Sequence, residues 1–186
     1  MDRSKAPAQR WFDRRARSYE GGATSRWRDP VQRASLAAFD LTPDDLLLDV
    51  GCGTGAASRG ASGVAKFVVG VDLSSGMIRQ ATDWQVTSRT FGSSSQIPSS
   101  SPSMTASSPA GLCSDSFHHH PDPLRAVREM ARVRASDGRL VIGDACSDLP
   151  TARIADSFLR RIEPGHIRLY RSSELGSFLQ RAGSPE

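Results

Sequence analysis

"LLLDVGCGTG" occupies residues 46–55. Leu46, Leu47, Leu48 and Val50 form an apolar run of strand length, and Gly51, Gly53 and Gly55 then turn the chain where a Cβ would obstruct it. Asp49 puts a carboxylate where that strand enters the turn. Downstream, "KFVVGVD" at residues 66–72 is a second β-branched run that again ends in an acid, Asp72. "LSSGMIRQATDW" follows at 73–84 as a helix with Ser74 at its N-cap. A short helix after the glycines completes the order strand, helix, strand, helix. Such alternation predicts right-handed βαβ units around a parallel sheet.

Further out, Phe12, Ala16 and Tyr19 recur at helical spacing and predict an amphipathic helix over 9–20, with a second helix from Pro30 to Phe39. On the other side, "HHHPDPLRAVREMARV" at 118–133 starts a helix with Asp122 as cap and Pro123 in the first helical position. Leu124, Val127, Met130 and Ala131 give it one apolar face. "RLVIGD" predicts a buried strand over 139–143 that ends at Asp144, and helices follow over 151–162 and 172–182. The chain reads as a single domain of 1–186: a helical cap at 1–40, a βαβ unit at 41–86, a serine-rich stretch at 87–109 and a second half at 110–186. Ser, Thr or Pro fill 16 of the 23 positions of that stretch, so it has almost nothing to bury and reads as disordered.

Lysine and arginine outnumber acids by only 24 to 20, and the arginines are scattered, which argues against nucleic acid as a partner. The aliphatic runs are far shorter than the ~20 residues a bilayer span requires, and no signal-peptide core follows Met1, so the expectation is a cytoplasmic protein with no membrane span. Cys52, Cys113 and Cys146 lack CxxC spacing and read as reduced thiols. Oligomeric state leaves no mark on the sequence.

A glycine turn between a strand and its helix typically holds a nucleotide-like cofactor. "GCGTGA" also satisfies the loose dinucleotide pattern, so the acids must decide. A carboxylate at Asp49 repels a pyrophosphate and favours a ligand with a cationic amino group, which S-adenosylmethionine carries. Asp72 can accept hydrogen bonds from ribose hydroxyls, a role compatible with either cofactor. The plainer reading of Asp49 is a strand-end acid that caps the next helix.

"LLLDVGCGTG", "VVGVDLSSGMIRQA", "HHHPDPLRAVREMARV" and "GRLVIGD" resemble, in order and spacing, the class I S-adenosylmethionine-dependent methyltransferases. "HH-PDP" and the tail "EPGHIRLYRSSELGSFLQRAG" are similar to the small-molecule branch that includes the ubiquinone and menaquinone methylases. The resemblance implies an α/β, Rossmann-like, doubly wound, mostly parallel sheet with helices on both faces. It implies that Asp49 lies by the methionyl ammonium, that the turn Val50, Gly51, Cys52, Gly53, Thr54 and Gly55 passes the amino-acid part of the cofactor, and that Asp72 holds the ribose. Leu73 and Met77 would flank the adenine. The expected partner is a small-molecule methyl acceptor.

Methyl transfer from a sulfonium requires alignment and exclusion of water rather than an enzyme nucleophile. His118, His119, His120 and His166 are the histidines available as a base, but each reads as a polar loop residue, so no catalytic residue is named. Consecutive histidines point in different directions, which disfavours a metal site.

The family pattern has a third strand, an adenine-binding acid and a fourth strand before "HH-PDP", and a closing hairpin after the last helix. Residues 87–109 supply none of the first three, "AGLCSDSF" at 110–117 reads as a stunted fourth strand with poor alternation, and the chain stops at "AGSPE". The sheet is therefore expected to be incomplete at strands 3, 4 and the C-terminal hairpin, with weak cofactor binding as a result. One base earlier, codons for "MTASS" at 104–108 can read Asp-Asp-Gly-Glu-Phe, a turn that suits the approach to strand four. A pair of compensating frame shifts is the hypothesis this supports; translating the gene in all three frames tests it. A cofactor-binding remnant without turnover and, less well, an NAD-dependent oxidoreductase are the competing functions.

Overall fold

The computed structural model describes residues 6–21, 25–83, 109–133 and 138–183. In chain order its elements are α1 (Ala6–Arg15), a 3₁₀ turn (Ala16–Ser18), α2 (Ser25–Ala37), β1 (Leu46–Val50), α3 (Ala56–Ser62), β2 (Phe67–Val71) and α4 (Ser75–Asp83). Then come β3 (Pro109–Ser114), a 3₁₀ turn (Phe117–His119), α5 (Pro123–Val133), β4 (Leu140–Gly143), α6 (Pro150–Ile162) and α7 (Ser172–Gly183). The four strands form one parallel sheet in the order β2-β1-β3-β4.

Strand periodicity sorts the core into two layers. Leu47, Val68, Ala110 and Leu112 face Phe39, Ala57 and Ala61 on the side of α2 and α3. Leu48, Val69 and Cys113 face Val127, Met130, Tyr170 and Leu175, on the side where α5 packs against α7. Both faces of the sheet are thereby covered, as an all-parallel sheet requires.

The fourth-strand position differs from the sequence expectation. β3 is not stunted: it runs for six residues, pairs with β1 from Leu46↔Pro109 to Asp49↔Leu112, and pairs with β4 on its other edge. Alternation is a poor guide here because a central strand is buried on both faces, so Ala110, Leu112 and Cys113 are all at most 1% exposed. The small side chains serve close packing, since a Cβ on Gly111 would lie 3.1 Å from Leu140 Cδ1. Pro109, assigned by composition to the serine-rich stretch, is the first residue of this strand. The remainder of that stretch, with the question of its disorder, lies outside the described residues.

Two helix boundaries also shift. The first helix ends at Arg15 and continues as a 3₁₀ turn, and α2 starts at Ser25, so Pro30 lies inside it rather than at its start. The expected caps are present: Ser74 Oγ accepts from the Met77 N–H at 3.1 Å, and Asp122 Oδ1 from the Arg125 N–H at 3.1 Å. A further cap comes from far away in sequence. Asp13 Oδ1, on α1, accepts from Ser74 Oγ at 2.6 Å and from the Gly76 N–H at 2.8 Å. Asp13→Ala should therefore lower stability by about 1 kcal/mol, the usual cost of an N-cap, read as a fall in the urea midpoint at unchanged slope. No change in midpoint would show that α1 is not held there. Among the described residues, no helix is long and apolar enough to cross a membrane.

Candidate cofactor and acceptor site

The turn after β1 is built from three left-handed glycines: Gly51 at φ +74°, Gly53 at +56° and Gly55 at +84°. Its first two amides, Gly51 and Cys52, both donate to the Val71 carbonyl, at 2.8 and 3.1 Å, which ties the turn to the end of β2. Thr54 O accepts from Arg59 Nη1 at 2.8 Å, and Arg59 Nη2 reaches Glu20 at 2.7 Å. The turn is thus held from both sides.

Period-two geometry puts Asp49 on the same sheet face as Leu47, toward α3. There it is 1% exposed, and its Oδ2 accepts from the Ser58 hydroxyl at 2.6 Å. The Ser58 backbone N–H, in the first turn of α3, donates to the same carboxylate, so Asp49 does satisfy the start of the next helix although Gly55 holds the N-cap position. Burial raises the carboxyl to about 6, Ser58 opposes the rise and Asp72 adds to it. Asp72 is partly buried at the end of β2, with Oδ2 on the Gly53 N–H at 2.9 Å and Oδ1 on the Ser74 N–H at 2.7 Å. Burial raises it too, against these two backbone donors. At the end of β3, Asp115 is likewise pushed up to about 6 by burial.

A cavity of about 360 Å³ opens over the turn. Gly51, Cys52, Gly53 and Thr54 form its floor, α2 forms one wall through Arg28, Gln32 and Arg33, and Ser114 and Asp115 close the end of β3. Tyr19 lies across it, 3.9 Å from where a Gly53 Cβ would stand, with Arg28 stacked on its ring at 3.9 Å. Burial raises the Tyr19 phenol to about 12. Nothing in the sequence marks this roof, because Tyr19 and Arg28 meet the turn only through tertiary packing.

Asp49 and Val50 lie in the strand that leads into the cavity floor, and neither lines the cavity. Gly55, Asp72, Leu73 and Met77 also lie outside its lining; Leu73 is partly exposed, and Met77 is 1% exposed within α4. The residues fit a cationic nucleoside ligand on two observations. Three acids with raised carboxyls end adjacent strands, and the glycine floor leaves backbone open where side chains would intrude. A pyrophosphate would meet that same negative field.

Beside the cavity, His118 and His166 are buried rather than loop-exposed, at 8% and 7%. Asp144 takes the His118 N–H at 2.9 Å and pairs with its Nδ1 at 2.7 Å. Burial disfavours the imidazolium of His118, but the Asp144 carboxylate outweighs that and raises its pKa. His119 is driven well below the ordinary range by burial and by His118.

The methyltransferase domain family matches this chain over residues 48–142, just over half of its 186 residues. The chain belongs to that family. Among the relatives of this chain, 27-O-demethylrifamycin SV methyltransferase of Amycolatopsis mediterranei (strain S699) is 29% identical over 183 residues, covering 93% of this chain and 64% of that protein. The ubiquinone biosynthesis O-methyltransferase of Xanthomonas campestris pv. campestris (strain B100) is 25% identical over 196 residues, covering 98% of this chain and 78% of that one. The chain thus spans less than two thirds of the length of the rifamycin relative. Its fold superposes on the DhpI–SAH complex with a TM-score of 0.69 at 20% identity, over 98% of this chain and 89% of that one. The Rossmann-like sheet expected from the sequence is therefore the family's fold.

Proposed function

We propose that this chain transfers a methyl group from S-adenosylmethionine to a small organic acceptor by in-line displacement. The observation that carries it is Asp49: a buried carboxylate whose hydrogen-bond partners, the Ser58 hydroxyl and backbone N–H, are both neutral, next to a glycine floor, creates a negative field that a cationic ligand relieves. S-adenosylmethionine supplies a methyl group already activated by its sulfonium. Gly51, Cys52, Gly53 and Thr54 would carry its amino-acid part, Asp49 would favour the ammonium from beneath, and Asp72 would hold the ribose. Each Asp72 oxygen already accepts one backbone bond and retains a lone pair for a hydroxyl. Leu73 would border the adenine, and Met77, buried in α4, would support it. Tyr19 covers the floor and keeps water off the reacting atoms. The two relatives named for O-methylation make a hydroxyl the first acceptor to try.

Calorimetry with S-adenosylhomocysteine, followed by methyl transfer from labelled cofactor into a panel of small hydroxylated acceptors, tests this. Preference for a nicotinamide dinucleotide over S-adenosylhomocysteine would overturn it.

The pH dependence follows from the same carboxyl. Asp49 has an ordinary value of 3.8 and a folded value of about 6, so its neutral form is favoured by folding. That contribution to apo stability is fully present below 3.8 and is lost as pH rises through about 6. A cationic ligand has the opposite preference. Cofactor affinity should fall about tenfold between pH 7 and pH 5 as this one group protonates, measured by titration in buffers of matched ionic strength. A flat profile over that range would show that Asp49 and the ligand's charge do not meet.

A further inference from the structure

Three imidazoles converge beside the cavity from two separate segments. The rings of His118 and His119, at the exit of β3, lie 4.0 Å apart by centroid, and that of His166, between α6 and α7, is 5.0 Å from His118 and 6.1 Å from His119. Glu163, at the end of α6, brings a carboxylate oxygen to 3.5 Å from His119 Nε2. His118, His119 and Glu163 can each offer one ligand atom within 4.8 Å of the other two. The divergence expected of consecutive histidines does not hold for this pair, because the 3₁₀ turn Phe117–His119 folds their rings together.

The hydrogen bonds fix where each ring keeps its proton. His118 Nδ1 faces the Asp144 carboxylate at 2.7 Å, His119 Nδ1 faces the Gly165 carbonyl at 3.1 Å, and His166 Nε2 faces the Asp156 carboxylate at 2.8 Å. All three partners are acceptors, so each imidazole spends one N–H on them. In each neutral ring the other nitrogen then presents a lone pair: Nε2 of His118, Nε2 of His119 and Nδ1 of His166. For His119 that lone pair looks at the Glu163 carboxylate, so two acceptors confront each other. His166 Nδ1 is the buried side-chain polar atom without a hydrogen-bond partner among the described residues, and that side chain is wholly inaccessible to solvent. One ring nitrogen oriented by a carboxylate or carbonyl while the other is left bare is the outer-shell arrangement of metal-binding histidines.

We propose that His118, His119 and Glu163 bind a divalent first-row transition cation. A set of imidazoles plus one carboxylate suits Zn²⁺, whose ligand bonds of about 2.0–2.2 Å set tetrahedral neighbours roughly 3.3–3.6 Å apart. The His119–Glu163 separation already meets that spacing. The ion would clamp the β3 exit to the α6–α7 segment, where the Ile167 N–H already donates to the His118 carbonyl at 3.0 Å. Asp115, on the cavity wall, has a carboxylate oxygen within 4.8 Å of a His118 ring nitrogen, so the ion would stand at the acceptor end of the cavity. An acceptor hydroxyl entering an open coordination position there would be acidified. That role, unlike the binding itself, rests on the methyl-transfer reading.

The test uses the full chain, stripped with a chelator, dialysed, and titrated calorimetrically with Zn²⁺ in the absence of any cofactor. The expected result is one ion per chain, with affinity reduced at least tenfold in Glu163→Gln and in His119→Ala. Co²⁺ in place of zinc should give tetrahedral visible absorption that both variants lose. Glu163→Gln keeps shape and hydrogen bonding and guards against misfolding, which circular dichroism checks. Absence of saturable uptake by the unaltered chain overturns the proposal, as does undiminished uptake by folded Glu163→Gln. S-adenosylhomocysteine binding, titrated separately on the stripped chain, reports on the methyltransferase reading alone, so the two can fail independently.

Discussion

Asp49→Asn is expected to weaken S-adenosylhomocysteine binding by tenfold to a hundredfold while leaving the apo protein at least as stable as before. The two halves of this result have different origins. At neutral pH, holding a carboxylate whose folded value is about 6 against an ordinary 3.8 costs on the order of 3 kcal/mol. Asparagine removes that cost, and its carbonyl can still accept from Ser58, which now bonds Asp49 at 2.6 Å. The new amide N–H, if unmatched, costs about 1–3 kcal/mol, so the net change in stability lies between zero and a small gain. The ligand experiences only the lost charge. At an effective dielectric near 20, a unit charge acting over roughly 6 Å is worth about 3 kcal/mol, and solvent around an open cavity reduces the share that reaches affinity. Chemical denaturation of the apo protein and calorimetry on the same sample measure both halves. A variant that loses stability and affinity together would mean that Asp49 is merely structural; one that retains full affinity would remove the electrostatic basis of the cofactor assignment.

Gly51→Ala should be the most damaging single methyl in the turn. An alanine at φ +74° is strained by about 1–2 kcal/mol, and its Cβ would stand 2.6 Å from Ser116 Cβ. Ser116 has little room to yield, since its hydroxyl donates to the Val50 carbonyl at 3.1 Å and lies 3.2 Å from the Cys113 sulfur. Together these give about 3 kcal/mol of destabilisation, or a fall in Tm of about 6–12 °C for a domain of this size. Gly53→Ala is the internal control. At φ +56° its Cβ would find Tyr19 Cε1 at 3.9 Å as its nearest neighbour, an ordinary contact, so only the backbone strain remains. Thermal unfolding of both variants should separate them clearly. Equal losses would mean that the Ser116 contact is unimportant and strain alone matters.

Both predictions concern residues that the sequence had already singled out, and the reason is local. A glycine that must adopt positive φ, an acid that ends a strand, and an apolar run of strand length are decided by backbone sterics and by solvation, which act over a few residues. So the parallel sheet, the glycine turn, the Ser74 and Asp122 caps and the acids at the ends of β1 and β2 were legible in "LLLDVGCGTG" and its neighbours. β3 was not. Its small residues lack a pattern because burial on both faces removes the polar alternation that marks a strand, and only the pairing with β1 and β4 identifies it.

The rest belongs to contacts between distant segments. Asp13 caps α4 from more than sixty positions away, Tyr19 roofs Gly53, and Glu163 meets His119 across the α6 terminus. No periodicity encodes such meetings, because each depends on how two finished elements pack. By itself the sequence determined that an acid and three glycines would end a buried strand, since one residue's conformational freedom and one carboxylate's hydration require no knowledge of the rest of the chain. Only the tertiary structure decided that this acid lies under the cavity with neutral donors alone, and that His118 and His166 are buried with each ring facing a carboxylate. A buried group's charge and proton are set by everything packed around it, and that surrounding exists only once the chain has folded.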